Sequence, residues 1–205
     1  MKIILLILLV ALPSAVLAQD FNQPLMRIFS AKVSNVGLAA DLLEKGKEME
    51  DIVSVQVLSI IFSPPLQIPD VRNSNIYNQP AIDTFIKYTK ACMSGSAAEL
   101  SKFWLESERD DQLVLFSDPK ILKTTHDHFN KNPSITILGL IFKDKKITIL
   151  TKGYVVRPEY ILGFTFIENN GVAYLTNSSK DDVDLSIIEA SFMPMESSTN
   201  QRRQH

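Results

Sequence analysis

The chain of 205 residues has little cysteine and little glycine, and neither sign of charge dominates: it contains one Cys, 7 Gly, 21 Lys plus Arg and 23 Asp plus Glu. A single Cys excludes an internal disulfide and a Cys-based zinc site. The near-neutral charge balance provides no basic field for nucleic acid, so no nucleic-acid partner is expected. With 45% apolar and 21% charged residues, the composition is that of a folded protein and not of a disordered chain.

Several motifs that carry chemistry are also missing. The sequence has no glycine loop that could cradle a phosphate and no Gly-x-Ser-x-Gly segment that could present a nucleophile. His126 and His128 lie on a predicted helix, where residues two apart point about 200° away from each other and do not share a metal ion. Asp181, Asp182 and Asp184 lack the glycine and the distal Glu of a calcium loop, which predicts a solvated acidic turn. We therefore expect no metal, no cofactor and no catalytic residue.

The first 18 residues, MKIILLILLVALPSAVLA, predict export. They contain a positive charge at Lys2, an apolar run of about ten residues and a small-x-small cleavage site formed by Val16 and Ala18. A bilayer span needs roughly 20 apolar residues, so the run is too short to be a membrane anchor. The segment 1–18 is therefore predicted to be a signal peptide, and Gln19 the mature N-terminus. The protein is expected in the periplasm or outside the cell, with no membrane span after cleavage.

Residues 19–75 are predicted to form an N-terminal segment with one helix and one strand. The apolar spacing over 36–49 is typical of an amphipathic helix. Alternating apolar and polar residues over 53–62 predict a strand with one buried face, which Pro64 and the prolines after it should end. The polar run 70–80 then predicts a loop, with a domain boundary near residue 75.

Helical spacing and capping residues predict three helices in the next part of the chain. The first covers 81–93 and ends before Gly95. Ser96 begins the second helix and forms a capping box with Glu99, and this helix is expected to reach Trp104. The third helix begins after Asp118, with a proline at its first position.

After Pro133 the apolar pattern changes from helical to alternating. Four or five successive strands are predicted, over 134–142, 146–156, 160–168, 171–178 and 183–192. Asn170-Gly171 predicts a two-residue hairpin turn that pairs Phe166 with Leu175. Because no strand alternates with a helix, the sequence predicts an α+β fold in which helices cover one face of an antiparallel sheet.

Two segments, PAIDTFIKYTKACMSGS and FTFIENNGVAYLTNSSKDD, resemble the nuclear transport factor 2-like, cystatin-like superfamily. The first is similar to the first helix of that family, and the second to its pair of long strands joined by a tight turn. The resemblance covers 80–192 and implies a cone-like domain over 76–194, with a pocket between the first helix and a curved sheet. It also implies a homodimer as a frequent arrangement, but no single activity. The polar tail 195–205 is predicted to be disordered.

The residues expected to bind a ligand in this pocket are Phe85, Tyr88, Trp104, Phe164, Phe166, Leu175 and Asn177. An apolar ligand would be held there mainly by burial, with Asn177 or Tyr88 fixing its orientation. The alternative for the same side chains is an ordinary close-packed core. Asn177 also begins an Asn-Ser-Ser acceptor for N-glycosylation, which matters only in a eukaryotic secretory pathway.

The leading hypothesis is an exported, non-enzymatic protein that binds a small apolar ligand or a protein partner. A second is an isomerase- or hydratase-like enzyme with its acid or base inside the cone, although Glu168 is expected to be only a solvated strand end. A third is a structural or assembly protein that pairs through an exposed edge strand over 53–62. Cys92 lies on the apolar face of the first helix and is expected to be buried and inert.

Overall fold

The computed structural model describes residues 23–74, 78–153, 160–179 and 181–193. Within these residues, six strands form one antiparallel sheet whose strand order follows the chain. Helices pack on this curved, unclosed sheet, and the predicted α+β class is confirmed. The predicted signal peptide, its cleavage site and the predicted disordered tail lie outside the described residues.

The strands are β1 (Leu25–Lys32), β2 (Ile52–Ile68), β3 (Ile135–Lys143), β4 (Lys146–Lys152), β5 (Ile161–Asn169) and β6 (Val172–Leu175). The helices are α1 (Ala39–Glu44), α2 (Pro80–Ser94), α3 (Ala97–Ser101), α4 (Arg109–Ser117), α5 (Pro119–Lys131) and α6 (Val183–Ser191). Short 3-10 helices cover Val33–Asn35, Val71–Asn73 and Glu106–Glu108. In the described part of the chain, no helix is both long and apolar enough to cross a membrane.

Local capping chemistry explains where the helices on one face of the sheet begin. Pro80 opens α2 at a position where its missing N–H breaks no helical hydrogen bond. The predicted capping box of Ser96 and Glu99 is present at α3, and Asp118 accepts N–H bonds at the start of α5. The second helix, however, ends at Ser101, before the Trp104 that it was expected to reach.

Two tight turns set the register of two strand pairs, β3 with β4 and β5 with β6. Asn170 and Gly171 have φ angles of 53° and 77°, as the predicted hairpin turn requires, and Phe166 pairs with Leu175. Asp144 and Lys145 also adopt positive φ angles, of 50° and 62°, in the turn between β3 and β4. The predicted alternation of core-facing and outward-facing residues on these strands follows from these turns.

The last predicted strand, 183–192, is instead the helix α6. The side chain of Asp182 accepts hydrogen bonds from the backbone N–H of Asp184 and Leu185, so it caps a helix. The apolar side chains of Ile187 and Ile188 then pack on the face of the sheet opposite α2. Helices therefore cover both faces, not one, and the sheet is the middle layer of three.

The predicted strand 53–62 also differs from the structure, because β2 continues through Pro64 and Pro65 to Ile68. The prolines lie where the register with β3 shifts, between Ile61 and Leu66. Backbone groups at such an irregularity are unpaired, so the missing proline N–H removes no ladder hydrogen bond. The predicted helix 36–49 is shortened to α1.

Strand β1 lies at an edge of the sheet and was not predicted. It pairs with β2, and β2 pairs with β3 on its other side. The segment 53–62 is therefore an internal strand, and the expectation that it forms an exposed edge was wrong. The described parts of 19–75 and of 76–194 contribute strands to the same sheet.

Candidate functional site

A cleft opens at the side of β5 where its neighbour β6 is too short to cover it. Strand β6 pairs with β5 only over 166–169, whereas β4 pairs with β5 along its whole length. Residues 161–164 thus have a strand partner on one side only in the described structure. A cavity of about 480 Å³ lies there, and we call it the β5 cleft.

One wall of the β5 cleft is apolar and consists of Trp104, Phe164 and Leu175. The segment before α4 reaches this wall because it pairs with β6: the N–H of Leu175 donates to the carbonyl of Phe103 at 2.8 Å, and the N–H of Leu105 donates to the carbonyl of Leu175 at 3.0 Å. This pairing places the Trp104 indole beside the sheet, although its Nε1 is buried without a hydrogen-bond partner among the described residues.

Glu189 of α6 provides a carboxylate on another wall of the cleft. Its Oε1 accepts a hydrogen bond from the backbone N–H of Gly163 at 2.7 Å, so a side chain occupies the place of a neighbouring strand. Burial raises the pKa of Glu189, and the hydrogen bond from Gly163 opposes that rise. A Cβ at Gly163 would lie 2.9 Å from Thr148 Cγ2 and 3.1 Å from both Glu189 Oε1 and Leu185 Cδ1. The packing of α6 and of Thr148 on β4 against Gly163 therefore favours glycine at this position.

Glu108 keeps the chain that follows β6 away from β5. Its Oε1 accepts a hydrogen bond from Thr176 Oγ1 at 2.5 Å, and its Oε2 accepts one from the backbone N–H of Asn177 at 2.8 Å. The N–H of Thr176 still donates to the carbonyl of Thr165 on β5 at 3.0 Å. From this point the two bonds to Glu108 direct the chain toward the 3-10 helix before α4, so pairing with β5 ends and the cleft stays open. Asn177 lines the cleft and is solvent-exposed.

The acidic turn before α6 was expected to be solvated, but two of its carboxylates form ion pairs. Lys143 Nζ lies 2.7 Å from an oxygen of Asp184 and 3.1 Å from an oxygen of Asp182. Burial lowers the pKa of Lys143, but the hydrogen bonds that its ammonium group donates to both carboxylates outweigh this effect, so the pKa is raised. Asp182, which lines the cleft, therefore forms an ion pair with a lysine of β3 that it shares with Asp184.

The seven predicted ligand-binding residues separate into two groups. Trp104, Phe164, Leu175 and Asn177 line the β5 cleft together. Phe85, Tyr88 and Phe166 belong to the core between α2 and the sheet, where Phe85 and Phe166 are 0% exposed.

Ring contacts show how that core is filled. Phe85 packs on Phe164 at a centroid distance of 4.9 Å and on Phe166 at 6.4 Å. Tyr88 packs edge-on against Trp104 at 6.2 Å. The space between α2 and the sheet at these residues is therefore occupied by side chains, and the open volume lies at the end of β5.

The polar groups of the cleft that the argument uses were not predicted from the sequence. Glu189 was placed on the predicted strand 183–192, and neither Gly163 nor Glu108, which binds the chain after β6, was singled out. One local feature of the sequence could have indicated that 183–192 is a helix: Asp182 is an N-cap residue, and Asp184 follows it in the first turn of α6.

Other reactive groups in the described residues are engaged or isolated. No group of three or more His, Cys, Asp or Glu side chains converges on a metal position in the described ranges. His126 Nε2 lies 2.9 Å from the carbonyl of Gly95, and Glu168 is exposed. Cys92 is fully buried, as expected, and that burial raises its pKa to about 12, which supports the prediction that its thiol is inert.

Comparison of the chain with protein-family models, with curated proteins and with solved structures gives no match. The resemblance to the nuclear transport factor 2-like superfamily stays a prediction. The case for a function therefore depends on the geometry of the β5 cleft.

Proposed function

We propose that the protein is an exported, non-enzymatic binding protein that holds a small, largely apolar ligand in the β5 cleft. The observation that carries this proposal is the convergence of Trp104, Phe164, Leu175 and Asn177 on one cavity of about 480 Å³. This volume lies within the range of roughly 300–1,000 Å³ that is usual for ligand sites.

The apolar wall would supply most of the affinity, and the polar groups would fix the orientation of the ligand. Burial contributes about 25 cal/mol per Å² of apolar surface removed from water. Asn177 offers an amide at the cleft, and Glu189 offers Oε2, which has no hydrogen bond within the described residues.

Binding is tested with N-phenyl-1-naphthylamine, an uncharged apolar fluorophore that accepts energy from tryptophan. Trp104 is the single Trp of the chain, so quenching of its emission reports a ligand at the cleft wall. Phe164→Ala should weaken binding about tenfold through lost apolar contact. Phe142→Ala is the matched control, because Phe142 is also partly buried on the sheet but does not line the cleft. Absence of both quenching and a thermal shift would refute the proposal.

Export is tested separately by intact mass of the secreted protein. A mature chain that begins at Gln19 is expected, and secreted protein that retains residues 1–18 would contradict it.

The isomerase- or hydratase-like alternative would place its acid or base at Glu189, because this carboxylate lines the cleft and burial raises its pKa. The other carboxylate of the cleft, Asp182, is engaged by Lys143 and by the backbone N–H groups of Asp184 and Leu185, so it is not free to act on a ligand. One available acid favours binding over catalysis.

A second candidate function, pairing with another protein chain, is favoured by the exposed edge strand β1. Met26 and Ile28 are 58% and 68% exposed, and Leu58 lies opposite Met26 on the same face. If β1 of a second copy pairs there, sedimentation should show a dimer that Ile28→Lys converts to a monomer, whereas Gln56→Lys on the neighbouring strand should not. A monomeric wild-type protein at millimolar concentration would exclude this self-association.

A further inference from the structure

We infer that the β5 cleft binds an extended peptide, which adds a short strand to residues 161–164 and takes over the backbone N–H of Gly163. This inference rests on the proposed function and names the chemical class of its ligand. Glu189 is then a removable cap on the strand edge, which the peptide replaces.

The direction of the backbone groups of β5 supports strand addition. Residues of an antiparallel strand bond alternately to the neighbour on one side and to the neighbour on the other. The carbonyl of Thr165 accepts a hydrogen bond from the N–H of Thr176, on the β6 side. Gly163, two residues earlier, therefore directs its N–H and carbonyl to the same side, into the cleft. Glu189 Oε1 already accepts from that N–H at 2.7 Å.

A purely apolar ligand fits these groups poorly. It would cover the carbonyl of Gly163 without offering a donor, and an unpaired buried carbonyl is unfavourable. A peptide offers an N–H for that carbonyl and a carbonyl for the N–H of Gly163. The cleft thus presents the two polar groups that a strand edge needs in order to pair.

The walls match the alternating side chains of an added strand. On one side of β5 lie Trp104, Phe164 and Leu175, and on the other lie Leu38 and Leu185. Successive peptide side chains point to opposite faces, so each would meet an apolar wall. The open edge over 161–164 is about 13 Å long, which accommodates three or four peptide residues.

The test compares two peptides, acetyl-Lys-Val-Leu-Val-Lys-amide and the same peptide N-methylated at its three central residues. Both have the same side chains, but the second has no N–H at its central residues that could donate to the carbonyl of Gly163. The intensity or wavelength of Trp104 emission should change with the parent peptide, and the methylated peptide should bind at least about tenfold more weakly, because it lacks that donor.

Two variants of Glu189 test the cap. Glu189→Ala frees the N–H of Gly163 and should bind the parent peptide about tenfold more tightly than wild type. Glu189→Gln is the matched control, because its amide oxygen still accepts the hydrogen bond, although more weakly than a carboxylate, and its affinity should lie close to that of wild type and below that of Glu189→Ala. If Glu189→Ala does not fold, the amide resonance of Gly163 in the wild-type protein should shift with the parent peptide and not with the methylated one.

Equal binding of the two peptides, or no gain in Glu189→Ala, would overturn the inference. If N-phenyl-1-naphthylamine binds at Trp104 and neither peptide does, the peptide inference fails and the proposed function stands. If neither the fluorophore nor a peptide binds, both fail.

Discussion

Glu108 should be one of the most important polar residues for stability, because its carboxylate holds the end of β6 in place. Glu108→Ala removes the acceptors of Thr176 Oγ1 and of the Asn177 N–H. A hydrogen bond to a charged group contributes a net stabilisation of about 1.5–3 kcal/mol. Glu108 is partly exposed, so the lower end of that range applies, and we expect the free energy of unfolding to fall by about 2 kcal/mol.

Urea denaturation followed by Trp104 fluorescence measures this change, since Trp104 lies beside Leu175 at the end of β6. Glu106→Ala is the matched control: Glu106 is exposed on the same 3-10 helix, and its loss should cost less than about 0.5 kcal/mol. Glu108→Gln keeps one acceptor oxygen and should fall between the two. If Glu108→Ala is within about 0.5 kcal/mol of wild type, or no worse than Glu106→Ala, the carboxylate does not anchor the strand.

Three further outcomes follow from single residues. Cys92, buried with a pKa of about 12, should react with a thiol reagent only on unfolding, so rapid labelling of the native protein would contradict its burial. A Cβ at Gly139 would lie 2.3 Å from the carbonyl oxygen of Ile60. Gly139→Ala should therefore lower the free energy of unfolding by about 3 kcal/mol, measured by thermal or urea denaturation. An unchanged stability would contradict this packing. Burial raises the pKa of Glu189 in the folded state, so the folded protein binds a proton at this carboxylate more tightly than the unfolded chain does. The free energy of unfolding should therefore increase as the pH falls from the raised pKa toward the ordinary pKa of Glu. Glu189→Gln should remove this gain and be more stable than wild type at neutral pH, and a stability difference that is constant with pH would contradict the assignment.

Local chemistry made several elements predictable from the sequence. The turn at Asn170-Gly171 needs positive φ at both positions, and few other residue pairs satisfy this requirement. Ser96 and Asp118 cap their helices through hydrogen bonds to backbone groups only two or three residues away. Such features depend on a few neighbouring residues, so a single sequence contains the information.

Elements that depend on distant contacts were not predictable in the same way. Val183, Leu185 and Ile187 alternate as in a strand, but their segment is a helix because it packs across a sheet built from the rest of the chain. Pro64 and Pro65 lie within β2 because the register with β3 shifts there, and no local pattern predicts that shift.

The candidate site was predictable only in part, for the same reason. Trp104, Phe164, Leu175 and Asn177 were identified largely from the hairpin and its apolar face. Glu189 contacts Gly163 only because α6 packs across the sheet. The polar wall of the cleft therefore depends on the segment 183–192, which was predicted to be a strand.

The two outer edges of the sheet differ in a way that limits assembly. At β6, the N–H and carbonyl of Leu175 are already bonded to the segment 103–105, whereas β1 has no strand on its outer side in the described structure. Apart from the short edge over 161–164, which accommodates only about three or four residues, a subunit joined through β1 has no second open edge in the described structure from which a chain of subunits could grow. Pairing through β1 would consequently close after two copies, and polymerisation into fibres would require the segment 103–105 to detach first.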